Sequence, residues 1–471
     1  MRAKYDVIVL GAGLAGLACT DELLRSKKKL KVLLLEKNNY PGGLAATFKD
    51  NDFLFDMSPH RWLTKNSELD IWLSELLGKE LISVKKNTPM YQFGQYYAYP
   101  VRILDVLKKV GLFNSFLMLT SYIYARVVNK IMSKKIVTLE DAYINRFGWF
   151  LYQWFNLEYN EKLWGKGGCR KMSADFVDQR VKNLSMVSAI KNAIGMNKNK
   201  VISLIDSFNY PKKGIGRISD RLDERIIEHG GTINLNTKIN RIEKNDAYTV
   251  YTDNGTFQTN EIISSIPLDE LIDSLRCPKK IRISARKLNY IDQRIVILLI
   301  NKIKLTDYTW VYVHPKKIRF FRFLETNNWS KSMSPKNKTS LVFEYPYQKN
   351  DRIDKLTDGQ LIKLTIDDLR CYFTPELKNG DILKTIIYRV DKAYPKYDLQ
   401  YSGQVKRIKT YLKENHQGLQ IIGRNGMFRY NNMDHSVYTG ILAARNIIEG
   451  KIKYNLDLVN NEAEYLEEKR I

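Results

Sequence analysis

Two unbroken apolar runs frame the start of the chain. "YDVIVL" ends at Leu10, "KVLLLEK" spans Lys31 to Lys37, and between them "GAGLAGLACTDELL" places apolar residues at helical spacing. Short continuous apolar runs suit parallel strands covered on both faces, so this region predicts strand, glycine turn, helix, strand. Farther along, "ILDVLKKVGLFNSFLMLTSYIYARVV" carries the longer period of helices, whereas "IVILLI", "TWVYVH", "IRFFRFL" and "SLVFEY" read as strands. The sequence carries no internal repeat, low-complexity linker or nucleic-acid-binding module.

At 471 residues and 44% hydrophobic the chain can bury a large core, and two or three domains are expected rather than one. The formal charge, 76 − 51 = +25, favours anionic partners, but the lysines are spread along the chain and select none. Cys19, Cys169, Cys277 and Cys371 are scattered, with neither disulfide nor zinc spacing and no metal site implied, which fits a reducing cytoplasm. The basic start before "VIVLGAGLAGLAC" imitates a signal peptide, but the glycine spacing explains it better, so export is not expected. "VGLFNSFLMLTSYIYA" is too short and too rich in Asn, Ser and Thr to span a membrane. It predicts a buried or interfacial helix, which leaves peripheral membrane association open.

The glycine turn carries the first chemistry. Gly11 permits the tight turn, Gly13 lets the backbone approach a pyrophosphate, and Gly16 lets helix and strand pack closely, with the helix N-terminus facing the negative charge. Glu36 ends the second strand, where its carboxylate can accept from both ribose hydroxyls. Two strands, three glycines and the acid together predict an adenine-dinucleotide site.

Beyond the second strand, "YPGGLAATF" brings Gly42, Gly43 and Thr47, and "FLFDMSPHRW" brings His60. These blocks resemble the second signature of the amine oxidase, protoporphyrinogen oxidase and UDP-galactopyranose mutase group of FAD proteins. The resemblance implies FAD, with the glycine pair along the dinucleotide and His60 near the isoalloxazine. "FNYPKKGIGRISDRLDERIIEHGGTINLNTKINRIEKND" looks like that group's return to the cofactor domain, with the backbone of Ile239 near the adenosine, and "TNEIISSIPLDEL" like its next strand, ended by Pro267. The implied fold is mixed α/β. A Rossmann-like FAD-binding domain comes from residues 1–100, 205–284 and 391–471, the last with a C-terminal tail. A helical insertion occupies 101–204 and an antiparallel β-sheet layer forms a substrate domain at 285–390.

Several blocks resemble the mutase itself. "EYNEKLWGKGGCRKMSADFVDQRV" is similar to the eukaryotic-type UDP-galactopyranose mutase block, which puts Asn160, Trp164 and Arg180 on substrate-pocket positions; Trp164 reads equally as core. "YAYPV" adds Tyr99, "TWVYVHPKKIRFFRF" adds Tyr312 and Arg322, and "AYPKYD" adds Tyr394. "GRNGMFRYNNMDHSVYTG" looks like the closing motif, with Arg424 and Tyr430 on the diphosphate and Asn432, Met433 and Asp434 meeting the flavin at a helix start. His229, His314 and His416 read as surface or structural.

Arg322, Arg424 and His60 are then the catalytic candidates. Paired arginines suit a diphosphate leaving group because their hydrogen bonds are charge-assisted and often bidentate. In that family the reduced flavin N5 is the nucleophile at the anomeric carbon, and the sugar recloses on a different hydroxyl without net redox change. The implied substrate is a nucleotide-diphosphate sugar used in surface-polysaccharide synthesis, with NADH or NADPH as reductant and no nucleic-acid partner. Two positions depart from the mutase pattern: Ser58-Pro59 precede His60, as in the oxidase form, and Val101-Arg102 follow the Tyr-Pro pair. Proline stiffens that loop. An FAD-dependent oxidoreductase of the protoporphyrinogen oxidase or amine oxidase type is the alternative enzyme, and a flavoprotein kept as a binding or membrane-associated component is a third reading.

Overall fold

The computed structural model describes residues 3–99, 103–133, 135–180 and 206–461. Val101 and Arg102 lie outside them, as does the side chain of Arg180 at the end of the helix Asp175–Arg180.

Five parallel strands form the first sheet, in the order Thr232–Asn234, Val32–Leu35, Val7–Leu10, Glu261–Ser264, Leu419–Ile421. Its two strands from the N-terminal runs are buried at every position, which is why they read as continuous apolar sequence. The chain thus returns to one sheet from three distant regions. A smaller sheet of Ala3–Lys4, Gly255–Thr259, Tyr248–Thr252 and Ile239–Lys244 stands beside it.

The helices Leu14–Leu24 and Met433–Glu449 pack backbone against backbone. A Cβ on Gly440 would lie 2.2 Å from the carbonyl oxygen of Ala15, too close for any side chain. Gly440→Ala is therefore expected to destabilise the protein by roughly 1–3 kcal/mol through overpacking. Thermal denaturation checks this, and an unchanged midpoint would refute the close approach.

A seven-stranded sheet carries the other half, in the order Ile382–Lys396, Asn289–Ile300, Thr339–Tyr347, Arg322–Glu325, Trp310–Val313, Pro89–Gln92, Gln95–Ala98. Neighbours run antiparallel except where Tyr312 and Val313 pair with Met90 and Tyr91. Strand alternation sorts Thr339–Tyr347 into two faces. Leu341, Phe343 and Tyr345 join the apolar cluster under the helix Asp358–Tyr372, where the Tyr345 and Thr365 hydroxyls lie 2.7 Å apart. Glu344 points the opposite way. Its direct neighbours across the strands are Arg322 and then Tyr312.

The helical insertion rests on the Pro89–Gln92 and Gln95–Ala98 strands through Met118, Tyr122, Leu151 and Phe155. Its helices include Leu112–Ile131, Leu139–Phe147 and a continuous stretch from Trp149 to Trp164 that contains a π-helical turn, Tyr152–Leu157. Thr138 and Asp141 close a capping box at the start of the second.

Candidate active site

One cavity of about 1580 Å³ runs from the first glycine turn to the Tyr312–Arg322 row of the large sheet. That exceeds the usual size of a single-ligand pocket, roughly 300–1,000 Å³, and leaves room for an extended cofactor together with a substrate.

Glycines make the wall at one end. Gly11 takes φ +95° in the tight turn, and Gly42 and Gly43 take +100° and +55°, a region L side chains rarely adopt. The Gly42 amide donates to the Ala12 carbonyl at 2.8 Å, folding the second glycine turn onto the first. A Cβ on Gly13 would meet nothing within 4 Å, so its backbone is open to the cavity. Gly16 does not line the space; its Cβ position lies 2.0 Å from the Gly11 carbonyl oxygen, so it holds helix against turn. Glu36 lines the cavity with its carboxylate fixed by backbone amides, accepting from Ala12 at 2.8 Å and Asn38 at 2.9 Å. Ile239 lines it beside Thr237 and Lys238, and Asn432, Met433 and Asp434 line it at the start of the 17-residue helix Met433–Glu449. Two helix N-termini thus border the space, where their unpaired amides favour negative charge. A side-chain-free glycine wall, an open Gly13 and these N-termini fit a flavin dinucleotide. Thr47 lies outside the lining: its hydroxyl donates to Asp56 at 2.5 Å and accepts from the Gly216 amide at 2.7 Å, tying the Thr47–Asp50 strand to the turn before Arg217.

The opposite end is built from arginines and tyrosines. Arg322 is buried in a network: Nη2 donates to Glu344 Oε2 at 2.6 Å, to the Tyr394 hydroxyl at 3.1 Å and to Ser58 Oγ at 3.3 Å. Glu344 also accepts from Ser58 Oγ and Gln293 Nε2, each at 3.0 Å. Burial works against the Arg322 charge, but Glu344 and the surrounding tyrosines keep it firmly protonated. Arg424 differs. Its guanidinium lies 4.3 Å from the Tyr430 ring centre and 5.2 Å from that of Tyr394, and its buried Nε has no hydrogen-bond partner among the described residues. Tyr394 and Tyr430 stack at 5.6 Å, and burial pushes the Tyr394 phenol up to about 12, with Arg322 opposing the shift. His60 lines the same cavity near both arginines. Burial first, then Arg424 and Arg322, push its imidazole down to about 3, so the ring is neutral, and Nδ1 has no partner among the described residues.

Tyr99 and Tyr312 both line the cavity, with ring centres 4.5 Å apart, and Asn160 lines it with its amide donating to the Asn156 carbonyl at 2.8 Å. Trp164 is core: it packs edge-on to Phe176 at 5.0 Å and does not reach the cavity. Tyr159 and His314, stacked at 4.7 Å, stand in the wall as well. His314 is thus buried beside the candidate site, which fits the structural and not the surface alternative of its sequence reading. Glu344 and Gln293 also escape sequence reasoning, and Ser58 enters it only as a departure from the mutase pattern and not as a partner of Arg322 and Glu344. A lone acid inside "SLVFEYPY" was the available sign, since a charge in an apolar strand needs a buried partner.

Over residues 14–448 the chain matches the family described as flavin containing amine oxidoreductase, and it belongs to that family. Membership implies a flavin cofactor. Among curated proteins it is similar to coproporphyrinogen III oxidase of Staphylococcus aureus (strain NCTC 8325 / PS 47), 21% identical, covering 94% of this chain and 99% of the relative. Among solved structures, reduced UDP-galactopyranose mutase superposes with a TM-score of 0.83 at 20% identity, covering 98% of this chain and 97% of the other. A candidate protoporphyrinogen oxidase from Exiguobacterium sp. 255-15 gives 0.72 at 18% identity, covering 96% and 100%. At these identities the likeness establishes the fold: the mixed α/β architecture of FAD-binding amine oxidase-type proteins.

Proposed function

We propose that the protein is a flavin-dependent pyranose–furanose mutase acting on a nucleotide-diphosphate sugar. The observation that carries this reading is the meeting of two arginines at Tyr394, one compensated by Glu344 and one without a carboxylate partner among the described residues. A diphosphate brings the negative charge that Arg424 lacks, while Arg322 offers directed donors already held in place. Tyr312, Tyr394 and Tyr430 border that position, and Asn160 lies in the same wall. The flavin, held by the glycine wall, Glu36 and the helix start at Asn432, supplies a nucleophilic ring nitrogen when bound and reduced. His60, a neutral ring in the cavity wall, can exchange one hydrogen bond with the bound ring without adding charge. On this reading the reductant is NADH or NADPH, the compartment is the cytoplasm, and the product feeds surface-polysaccharide synthesis.

A second reading, an oxidoreductase acting on a porphyrinogen or amine, is favoured by Ser58-Pro59 before His60 and by the oxidase relative. Melting the reduced holoprotein with nucleoside diphosphates, porphyrins and amines separates the two. Saturating ligand raises stability by mass action, about 2.7 kcal/mol at a hundred times Kd. The mutase reading expects a rise with at least one nucleoside diphosphate. A rise with a tetrapyrrole or amine alone overturns it.

A further inference from the structure

The helix Leu112–Ile131 inverts the usual amphipathic arrangement. Its inward contacts are made by Met118, Tyr122 and Ala125, yet its solvent side is also apolar. Leu112, Phe113, Phe116, Ile123, Tyr124 and Ile131 are all exposed, Leu112 by 92% and Phe113 by 73%. Recurring at helical spacing, they form one continuous stripe, where a surface helix of a soluble domain ordinarily carries charge. The stripe continues past the helix end through exposed Met132, Ile136 and Val137.

We infer that this face docks the protein on an anionic lipid surface. From Val106 to Thr138 the sequence contains no Asp or Glu, but holds Lys108, Lys109, Arg126, Lys130, Lys134 and Lys135. Of these, Lys109 is paired with Asp105 at 2.9 Å. Exposed Arg126 and Lys130 lie on the helix itself, and exposed Lys108 and Lys135 lie beyond its two ends. Long basic side chains can lay their stems beside apolar surface and keep the charge at the lipid headgroups. A second copy of the chain fits less well. Both ends of the helix are basic, so either orientation of a symmetric pair brings like charges together with no acid in the segment to offset them. Among the described residues no helix is long and apolar enough to cross a membrane, so this one lies in the interface plane. The inference is independent of the reading of the cavity.

The test is flotation of the full-length holoprotein with vesicles of phosphatidylglycerol and phosphatidylcholine, and with phosphatidylcholine alone, at low and high salt. Binding to the anionic vesicles should fall as salt screens the basic residues. It should fall about tenfold or more in the double variant Phe116→Ser/Ile123→Ser, which removes two apolar anchors. That variant, altered only on the exposed face, should keep the parental melting temperature and flavin content. Equal binding by the variant, or no binding to anionic vesicles, overturns the inference. In the second case, sedimentation showing a dimer that the variant dissolves would assign the face to a second copy.

Discussion

Replacing Arg322 by alanine is expected to lower the protein's stability by ~3–5 kcal/mol, whereas replacing Arg424 should leave the fold intact and remove affinity for a nucleoside diphosphate. The two residues look alike in sequence, each near a tyrosine in a motif that suggests diphosphate recognition. The structure separates them. Arg322 is the counter-ion of Glu344, which is 1% exposed and, among the described residues, keeps only Gln293 and Ser58 as donors once the guanidinium is gone. A carboxylate left buried without its cation costs far more than the intact pair contributes. Glu344→Gln in the Arg322→Ala background removes that stranded charge and should recover most of the stability. Among the described residues Arg424 has no carboxylate to strand, so its loss should leave the melting temperature level or slightly higher. Binding should weaken by roughly 2 kcal/mol, about thirtyfold, because phosphate charge then enters a partly dry site unpaired. Chemical denaturation and calorimetric titration of the reduced protein measure the two effects. Parental stability of Arg322→Ala would break the ion-pair argument, and unchanged binding by Arg424→Ala would remove the main support for a diphosphate site.

What the sequence disclosed depended on how local each signal was. Gly11, Gly13 and Gly16 sit within six residues of one another, and their roles follow from a single turn whose geometry any reader of backbone conformation can anticipate. Tyr312 and Arg322 lie ten residues apart, and the antiparallel pairing of their strands brings them opposite each other. Arg424 and Tyr430 lie within one short helix and its following turn, so their contact is also local. The partners that set the electrostatics are not. Glu344 meets Arg322 across neighbouring strands, Ser58 joins them from a loop far earlier in the chain, and no period or spacing announces either contact. Thr47 and Trp164 show the converse: a motif position can be filled by a residue whose side chain turns to the hairpin or the core. The helix Leu112–Ile131 was legible as a helix. Its apolar residues on both faces hid which side packs, because periodicity identifies a stripe but not what covers it.

With a suitable nucleotide sugar, turnover is expected only after the holoprotein has been reduced, and without stoichiometric consumption of an electron donor. Ring contraction leaves the sugar at its original oxidation level, so no electrons leave with the product. The residues are consistent with that demand. In the proposed reaction Arg322 and Arg424 address a departing diphosphate, beside a His60 ring that is neutral. Dithionite or a reduced nicotinamide should therefore switch activity on, with the spectrum still that of the reduced protein after many turnovers. An oxidoreductase behaves in the opposite sense: substrate alone bleaches the oxidised spectrum, oxygen restores it, and peroxide or a reduced acceptor accumulates in proportion to product. The decisive experiment mixes oxidised holoprotein anaerobically with candidate nucleotide sugars, porphyrinogens and amines, records the spectrum, repeats the series after reduction and separates the sugar isomers. Isomers formed only after reduction, at many per enzyme and per equivalent of dithionite, would exclude the oxidase reading. Bleaching by a porphyrinogen or amine, with no isomer from any nucleotide sugar, would exclude the mutase and leave the two arginines as a site for the carboxylates of a different substrate.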